Sequence, residues 1–207
     1  INKNIIMNFL SIDCSTEIGS FFVKTKNKTF SKLLQNNKFH NDLLMKQILD
    51  FFEENNLKLG DISEILINQG PGNFSGLRGS LAVAIGISVS KNIKLFGYDT
   101  FLWLSAKFFK KKKIVCSIIK LRDKYFIKRF DNKLKVQSQI KEISIEEIIN
   151  NYEKEFKVIA KDAERFFDKK IIALNNLEIV DLDHNVLEFL RINNLLNKDL
   201  IKPLYLS

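Results

Sequence analysis

One segment has the residue types and spacing for phosphate chemistry: Gln69-Gly70-Pro71-Gly72-Asn73-Phe74-Ser75-Gly76-Leu77-Arg78. It lies between an apolar run and a helical pattern, where free backbone N–H groups at a helix start hold anions. It lacks the Lys and Ser/Thr of a P-loop, and glycines at 70, 72 and 76 miss G-x-G-x-x-G by one residue. The same residues also read as a rigid turn in which Pro71 holds Gly70 extended, Gly72 permits a sharp bend and Asn73 caps the helix. A second candidate is Asp13-Cys14-Ser15-Thr16, which ends the first apolar run. Asp13 could hold a hydrated metal beside Ser15 and Thr16, but no glycine lets a backbone close in on phosphate, and a structural turn is the competing reading. Cys14 as a nucleophile needs a nearby base, and the two histidines, His40 and His184, stand 144 residues apart. Cys14 and Cys116 form neither a metal-type nor a redox-type pair, so no metal site is expected.

The hydrophobic pattern supplies the elements that must position these residues. Apolar runs at 9–12, 20–24 and, more weakly, 29–33 predict an antiparallel meander. A helix over 41–55, a buried strand over 62–68, a helix over 75–90, a strand over 93–98 and a helix over 100–109 follow. After the lysine run, strands at 114–119 and 125–130 and a poorer one at 136–143 lead to a helix over 144–154, with Ser144 and Glu147 as its capping box. A strand at 157–160, a helix at 163–168 and a last helix at 185–195 complete the pattern. The second half repeats the first in reduced form, which predicts an α/β protein of two related actin-like lobes with mixed sheets, the second degenerate. The expected lobes are 1–109 and 110–207.

Composition sharpens the contrast between the lobes. All eight glycines lie at or before Gly97, so the second lobe has no glycine-rich loop with which to approach a nucleotide. The net charge of +9 is concentrated in residues 107–135, which hold 12 basic and 2 acidic groups. Lys110, Lys111, Lys112, Lys113 and Arg122 are the candidate basic patch, and a solvated lysine face is the plainer reading. No apolar stretch is long enough to span a bilayer, and the cysteine usage fits a reducing compartment, so a cytoplasmic protein is expected. Residue 1 is Ile and Met7 directly precedes the first strand pattern, so residues 1–6 are expected to be an expression remnant or a misread start.

Two helices ask for a partner. On the 41–55 helix, Leu44, Met45, Ile48, Leu49, Phe51 and Phe52 fill an arc of about 160°, wider than one buried side requires. The 75–90 helix carries Gly76, Ser80, Ala84 and Ser88 in one small-residue row and Ala82, Gly86 and Ser90 in another. Such rows let helices approach closely. Leu44, Ile48, Phe51, Phe52, Ser80, Ala84 and Ser88 are therefore expected at a subunit interface, against the alternative of a helix wedged between its own sheet and a neighbouring helix.

These motifs resemble those of the TsaB (YeaZ) family. Residues 9–16 are similar to its opening I-L-A-I-D-T-S-T, and His40 followed by Leu43 and Leu44 is similar to H-S-E-x-L-L-P. Gly70 through Arg78 resembles the signature G-P-G-S-F-T-G-L-R, changed at Asn73 and Ser75 only, and Pro203-Leu204-Tyr205-Leu206 resembles the closing P-x-Y-x-R, with Ser207 in place of Arg. The second lobe departs more: Lys120-Leu121-Arg122 stands for D-A-R, and Ala160-Lys161-Asp162-Ala163 replaces a glycine-containing turn. The resemblance implies an actin-like (ASKHA, ribonuclease H-like) scaffold without catalysis of its own. It would pair through its N-terminal helices with TsaD, the catalytic paralogue, whose metal-binding H-x-x-x-H this chain lacks. With TsaE, that pair transfers a threonylcarbamoyl group to the adenosine adjoining the anticodon of tRNAs reading codons that begin with A. ATP and metal would then belong to the partner subunits, tRNA would be met through the complex, and the chain alone would form a homodimer. Two other readings stay open: a small actin-like ATPase or kinase, from Asp13 and the Gly70–Gly76 loop, and a direct tRNA-binding module, from the basic charge.

Overall fold

The computed structural model describes residues 8–34, 43–199 and 201–206; residues 1–6, His40 and Ser207 lie outside these. Two units form, Ile1–Thr100 with Leu196–Ser207, and Phe101–Leu195. The boundary expected at 109/110 thus moves to 100/101, and the closing tail belongs to the first unit. Backbone pairing explains the second correction. Gly97 and Asn197 exchange N–H···O bonds of 2.9 and 2.7 Å, and the Leu204 amide donates to the Gln69 carbonyl at 2.7 Å.

The first unit holds β1 (Phe9–Asp13), β2 (Ser20–Lys24), β3 (Thr29–Leu33), β4 (Glu64–Asn68) and β5 (Lys94–Tyr98) in the order β3-β2-β1-β4-β5. β1 to β3 form the antiparallel meander, while β4 pairs parallel with β1 and β5 with β4. Every residue of β1 and β4 is buried, which is why both read as runs rather than as alternation. Edge strand β3 alternates exposed and half-buried residues and gives the weaker signal. Helices α1 (Leu44–Glu54) and α2 (Phe74–Lys91) cover one face, where Leu10, Ile12, Phe21, Ile65 and Ile67 meet Ile48, Phe51, Leu77 and Ala84. Each large apolar side chain buried there stabilises the unit by about 1.5–3 kcal/mol.

The second unit contains β6 (Ile114–Leu121), β7 (Lys124–Asp131), β8 (Lys141–Ile143), β9 (Phe156–Ala160) and β10 (Leu177–Val180). Their order, β8-β7-β6-β9-β10, repeats that of the first sheet, with an antiparallel meander and then two parallel strands. Two such sheets in one chain are the two-lobe actin-like α/β architecture. The reduction of the second copy shows in its elements. α3, reaching in from the boundary (Thr100–Ser105), ends in a 3-10 turn, Ala106–Phe108, where a longer helix was expected. β8 has three residues, and Val136 contributes only an isolated bridge to Phe130. α4 (Ile145–Asn150) stops before 154, although its capping box forms: the Glu147 amide donates to Ser144 Oγ at 3.1 Å, and the Ser144 amide to Glu147 Oε2 at 3.0 Å. The helix expected at 163–168 is a 3-10 turn, Glu164–Phe166, followed by the short α5 (Lys169–Ile172), which Asp168 caps. α6 (Asn185–Ile192) ends three residues before the expected limit.

Lack of glycine leaves its mark here. Three of the four left-handed non-glycine residues of this unit are Lys110, Arg122 and Leu134, at φ of 57, 54 and 60°. Such a conformation costs roughly 1–2 kcal/mol per residue when a Cβ is present. Among the described residues no helix is long and apolar enough to cross a membrane, and no three His, Cys, Asp or Glu side chains gather as metal ligands.

His184, at the head of α6, is buried, with its ring 4.9 Å from that of Trp103. Burial pushes its pKa down to about 4. The unfolded chain then takes up a proton that the folded one refuses, so stability is whole above about pH 6.5 and is lost as pH falls toward 4. Urea unfolding at pH 7 and pH 4.5 should show a loss of about 2–3 kcal/mol beyond that of His184→Phe, whose stability lacks this component.

Candidate functional site

Asp13 ends β1 with its carboxylate fully engaged. Oδ1 accepts from the Ser15 amide at 3.0 Å, the Ser15 hydroxyl at 2.8 Å and Asn68 Nδ2 at 3.1 Å, and Oδ2 accepts from the Thr16 hydroxyl. Burial raises its pKa, and these bonds pull it back toward the ionised form. Burial and the neighbouring Asp13 charge push the Cys14 thiol well up, away from nucleophilic thiolate. Asn68 extends the network, accepting from the Gly70 amide at 2.8 Å and donating to the Thr100 hydroxyl at 3.1 Å, which itself donates to the Pro71 carbonyl.

The loop at 70–78 closes over this turn. A Cβ on Gly72 would lie 1.9 Å from the Ser15 carbonyl oxygen, and one on Gly76 would lie 2.0 Å from that of Cys14. The Asn73 amide donates to the Ser15 carbonyl at 2.7 Å. Both glycines are thus required by close backbone packing against the turn that follows Asp13. Gly72 lies in the bend expected of it and in addition lets the backbone come close to the Ser15 carbonyl. Gly70, expected to be extended, sits at φ 96° before a cis peptide to Pro71, and a Cβ there would meet Leu77 Cδ1 at 2.5 Å. Asn73 caps α2 as expected, its Oδ1 accepting from the Gly76 amide at 3.0 Å.

The tail straps the same loop. Gln69 Nε2 donates to the Lys202 carbonyl at 2.8 Å, across a surface that only glycine at 97 leaves open. The Tyr205 ring lies 4.9 Å from that of Phe74, over which the Arg78 guanidinium sits at 5.3 Å. Phe74 and Tyr205 are both exposed, at 56% and 48%.

The helices correct the expected interface. Leu44, Ile48, Phe51, Phe52, Ser80 and Ala84 are buried in the first unit's own core, and the half-buried Ser88 donates from its hydroxyl to the Ile93 carbonyl at 2.6 Å. The Gly76-Ser80-Ala84 row is small because α2 lies close on its own sheet. The other row, Ala82-Gly86-Ser90, faces outward beside Ile85 (40% exposed) and Val89 (77%), while α1 exposes Met45 and Leu49 (45%). After Arg78 the outward face of α2 carries no charge until Lys91. Ile85 and Val89 were missed by sequence reasoning, although their helical phase beside Ala82 and Gly86 was the available signal.

The model of the TsaD family, tRNA N6-adenosine threonylcarbamoyltransferase, matches residues 34–180. The chain belongs to this family. Its curated relatives bear the TsaB name. The tRNA threonylcarbamoyladenosine biosynthesis protein TsaB of Buchnera aphidicola subsp. Schizaphis graminum (strain Sg) is 26% identical over 189 residues, 83% of this chain and 90% of that protein. The TsaB of Buchnera aphidicola subsp. Baizongia pistaciae (strain Bp) is 34% identical over 90 residues, 42% of this chain and 40% of that protein. YeaZ from Pseudomonas aeruginosa superposes with a TM-score of 0.73 at 16% identity, covering 97% of this chain and all of that one, which fixes the fold. The TsaB resemblance read from the motifs is thereby borne out. Of the family's motifs, the opening turn, the signature loop and the closing tail are brought together here by Gln69, Asn68 and the two close-packed glycines.

The basic patch is not one cluster. Lys110, Lys111, Lys112 and Lys113 precede β6, whereas Arg122 sits in the hairpin at its far end, about 25 Å away for an eight-residue strand. Cys116, on β6, donates its thiol to Glu155 Oε2 at 2.8 Å; burial pushes its pKa up, and Glu155 is also held by Arg129 Nε at 2.9 Å.

Substituting glycines separates these roles. Gly72→Ala and Gly76→Ala are expected to lose about 3 kcal/mol or more, because a backbone carbonyl has to move. Gly86→Ala, where a Cβ meets nothing within 4 Å, should gain about 0.5–1 kcal/mol in the isolated chain by helix propensity. Urea unfolding of the three variants checks the contrast.

Proposed function

We propose that this chain works in tRNA threonylcarbamoyladenosine biosynthesis as the scaffold partner of a TsaD-type catalytic subunit, docking through the outward face of α1 and α2. One observation carries the reading: the turn that would cradle phosphate is filled by the chain's own signature loop, while an uncharged helix face beside it is left exposed. Asp13 spends its lone pairs on Ser15, Thr16 and Asn68, so it is a structural carboxylate, and nucleotide and metal chemistry fall to TsaD and TsaE. Ala82 and Gly86 let a partner helix come close, and Ile85, Val89, Met45 and Leu49 supply apolar surface whose burial drives the association. Unpartnered, the same face is covered by a second copy, so the chain alone dimerises and TsaD displaces that copy. The complex carries out the transfer to tRNA in the cytoplasm.

The test is size-exclusion of the full chain with its TsaD, together with tRNA modification in a reconstituted system. The wild type should co-elute and be required for modification. Gly86→Trp and Val89→Glu should each weaken pairing at least tenfold while leaving the circular dichroism spectrum unchanged, because neither side chain enters the first unit's own core. Modification that proceeds equally well without the chain overturns the proposal.

A further inference from the structure

One end of the second sheet, where β6 and β9 begin and β7 ends, gathers lysines that the sequence separates. Ile114 pairs with Asp131 and Val115 with Phe156, and the Lys110 amide donates to the Asn132 carbonyl at 2.7 Å. The loop bearing Lys110, Lys111, Lys112 and Lys113 therefore runs beside the one bearing Lys133 and Lys135. All six lysines are exposed, and none forms an ion pair among the described residues.

The neighbouring carboxylates are bonded to groups other than these six ammonium ions. Asp131 accepts from the amides of Lys133 and Lys135 at 2.8 and 2.9 Å, Glu178 pairs with Lys107 at 2.9 Å, and Glu155 is held by Arg129 and Cys116. Two ammonium groups rest on aromatic rings, Lys110 on Phe109 at 5.3 Å and Lys112 on Phe156 at 4.3 Å. A ring beneath a cation orders it without cancelling its charge. Lys110 also keeps a left-handed backbone where glycine would be unstrained. A membrane surface would call for apolar anchors among the cations, and Val136 is the one exposed large apolar side chain of these two loops.

We infer that this end of the second unit is a contact surface for the phosphate backbone of RNA, formed by the 110–113 and 133–135 loops together. The choice of RNA as the polyanion rests on the tRNA-modification reading above; the clustering of charge does not. Each phosphate neutralised releases condensed counterions, so binding follows salt with a slope of about −0.7 to −0.9 per contact.

The experiment is fluorescence anisotropy of a labelled tRNA transcript with the full chain between about 50 and 200 mM KCl. Wild type should bind with a log–log slope near −3 to −4. The K110Q/K111Q/K112Q/K113Q variant should bind at least tenfold more weakly with a slope shallower by about 2, and K133Q/K135Q several-fold more weakly. K26Q/K28Q/K91Q, with exposed lysines of the first unit, should bind as wild type does. Unchanged affinity and slope in the quadruple variant, with its unfolding midpoint preserved, overturns the inference, as does tighter capture by phosphatidylserine vesicles than by tRNA. A chain that binds tRNA through these lysines but neither co-elutes with TsaD nor supports modification overturns the scaffold reading and upholds this surface.

Discussion

Two backbone carbonyls, those of Cys14 and Ser15, fill the space that side chains on Gly76 and Gly72 would take, and the first unit is arranged around that contact. It sets how close α2 lies to the end of β1. It requires small residues along the inner row of α2, and it gives the Asn73 amide a partner in the Ser15 carbonyl. Asp13 then becomes the centre of a buried hydrogen-bond network, in which a carboxylate satisfied by several donors is tolerated where an unpaired one would not be. Asn68, the last residue of β4, and Thr100, the first of α3, complete the network.

The close approach on the inside has a counterpart on the outside. α2 is apolar on nearly all sides because two separate demands act on it: its inner row must fit the sheet, and its outer row is free of charge for another reason. Stability of the isolated unit gives no cause for Val89 and Ile85 to be exposed, since polar residues there would serve the fold equally well. On the scaffold proposal, the partner-binding content of the helix lies in the row that the fold does not use. In the second unit lysines crowd two adjacent loops although Lys110 and Leu134 keep left-handed backbones there and none of the six ammonium groups forms an ion pair among the described residues.

Much of this was legible in the sequence. β2 and β3 fall on the expected residues, and β1 and α2 within a residue, because their apolar runs are bounded by polar or turn residues and Asn73 marks the start of the helix. The duplicated plan of two mixed sheets, though not their strand order, could be anticipated because the second half repeats the run pattern of the first. β10 could not, since four residues on a sheet edge leave no period to read. The interface residues were misplaced for a physical reason: hydrophobicity does not tell an inward stripe from an outward one, and the largest side chains, Phe51 and Phe52, satisfied the unit's own core. Arg122 was grouped with the lysine run by nearness in sequence, which an intervening strand converts into distance. The tail was assigned to the wrong unit because its partners, Gln69 and Gly97, are a hundred residues or more upstream.

The scaffold proposal requires that the turn at Asp13, packed against the 70–78 loop, take up no nucleotide in the free chain. Amide chemical shifts of the 15N-labelled full chain, followed as Mg-ATP is added to millimolar concentration, test it most directly. The account predicts that the resonances of Ser15, Gly72, Asn73 and Gly76 stay in place. Saturable shifts confined to these four residues would contradict it, since they would require the 70–78 loop to lift from the Cys14 and Ser15 carbonyls and admit phosphate.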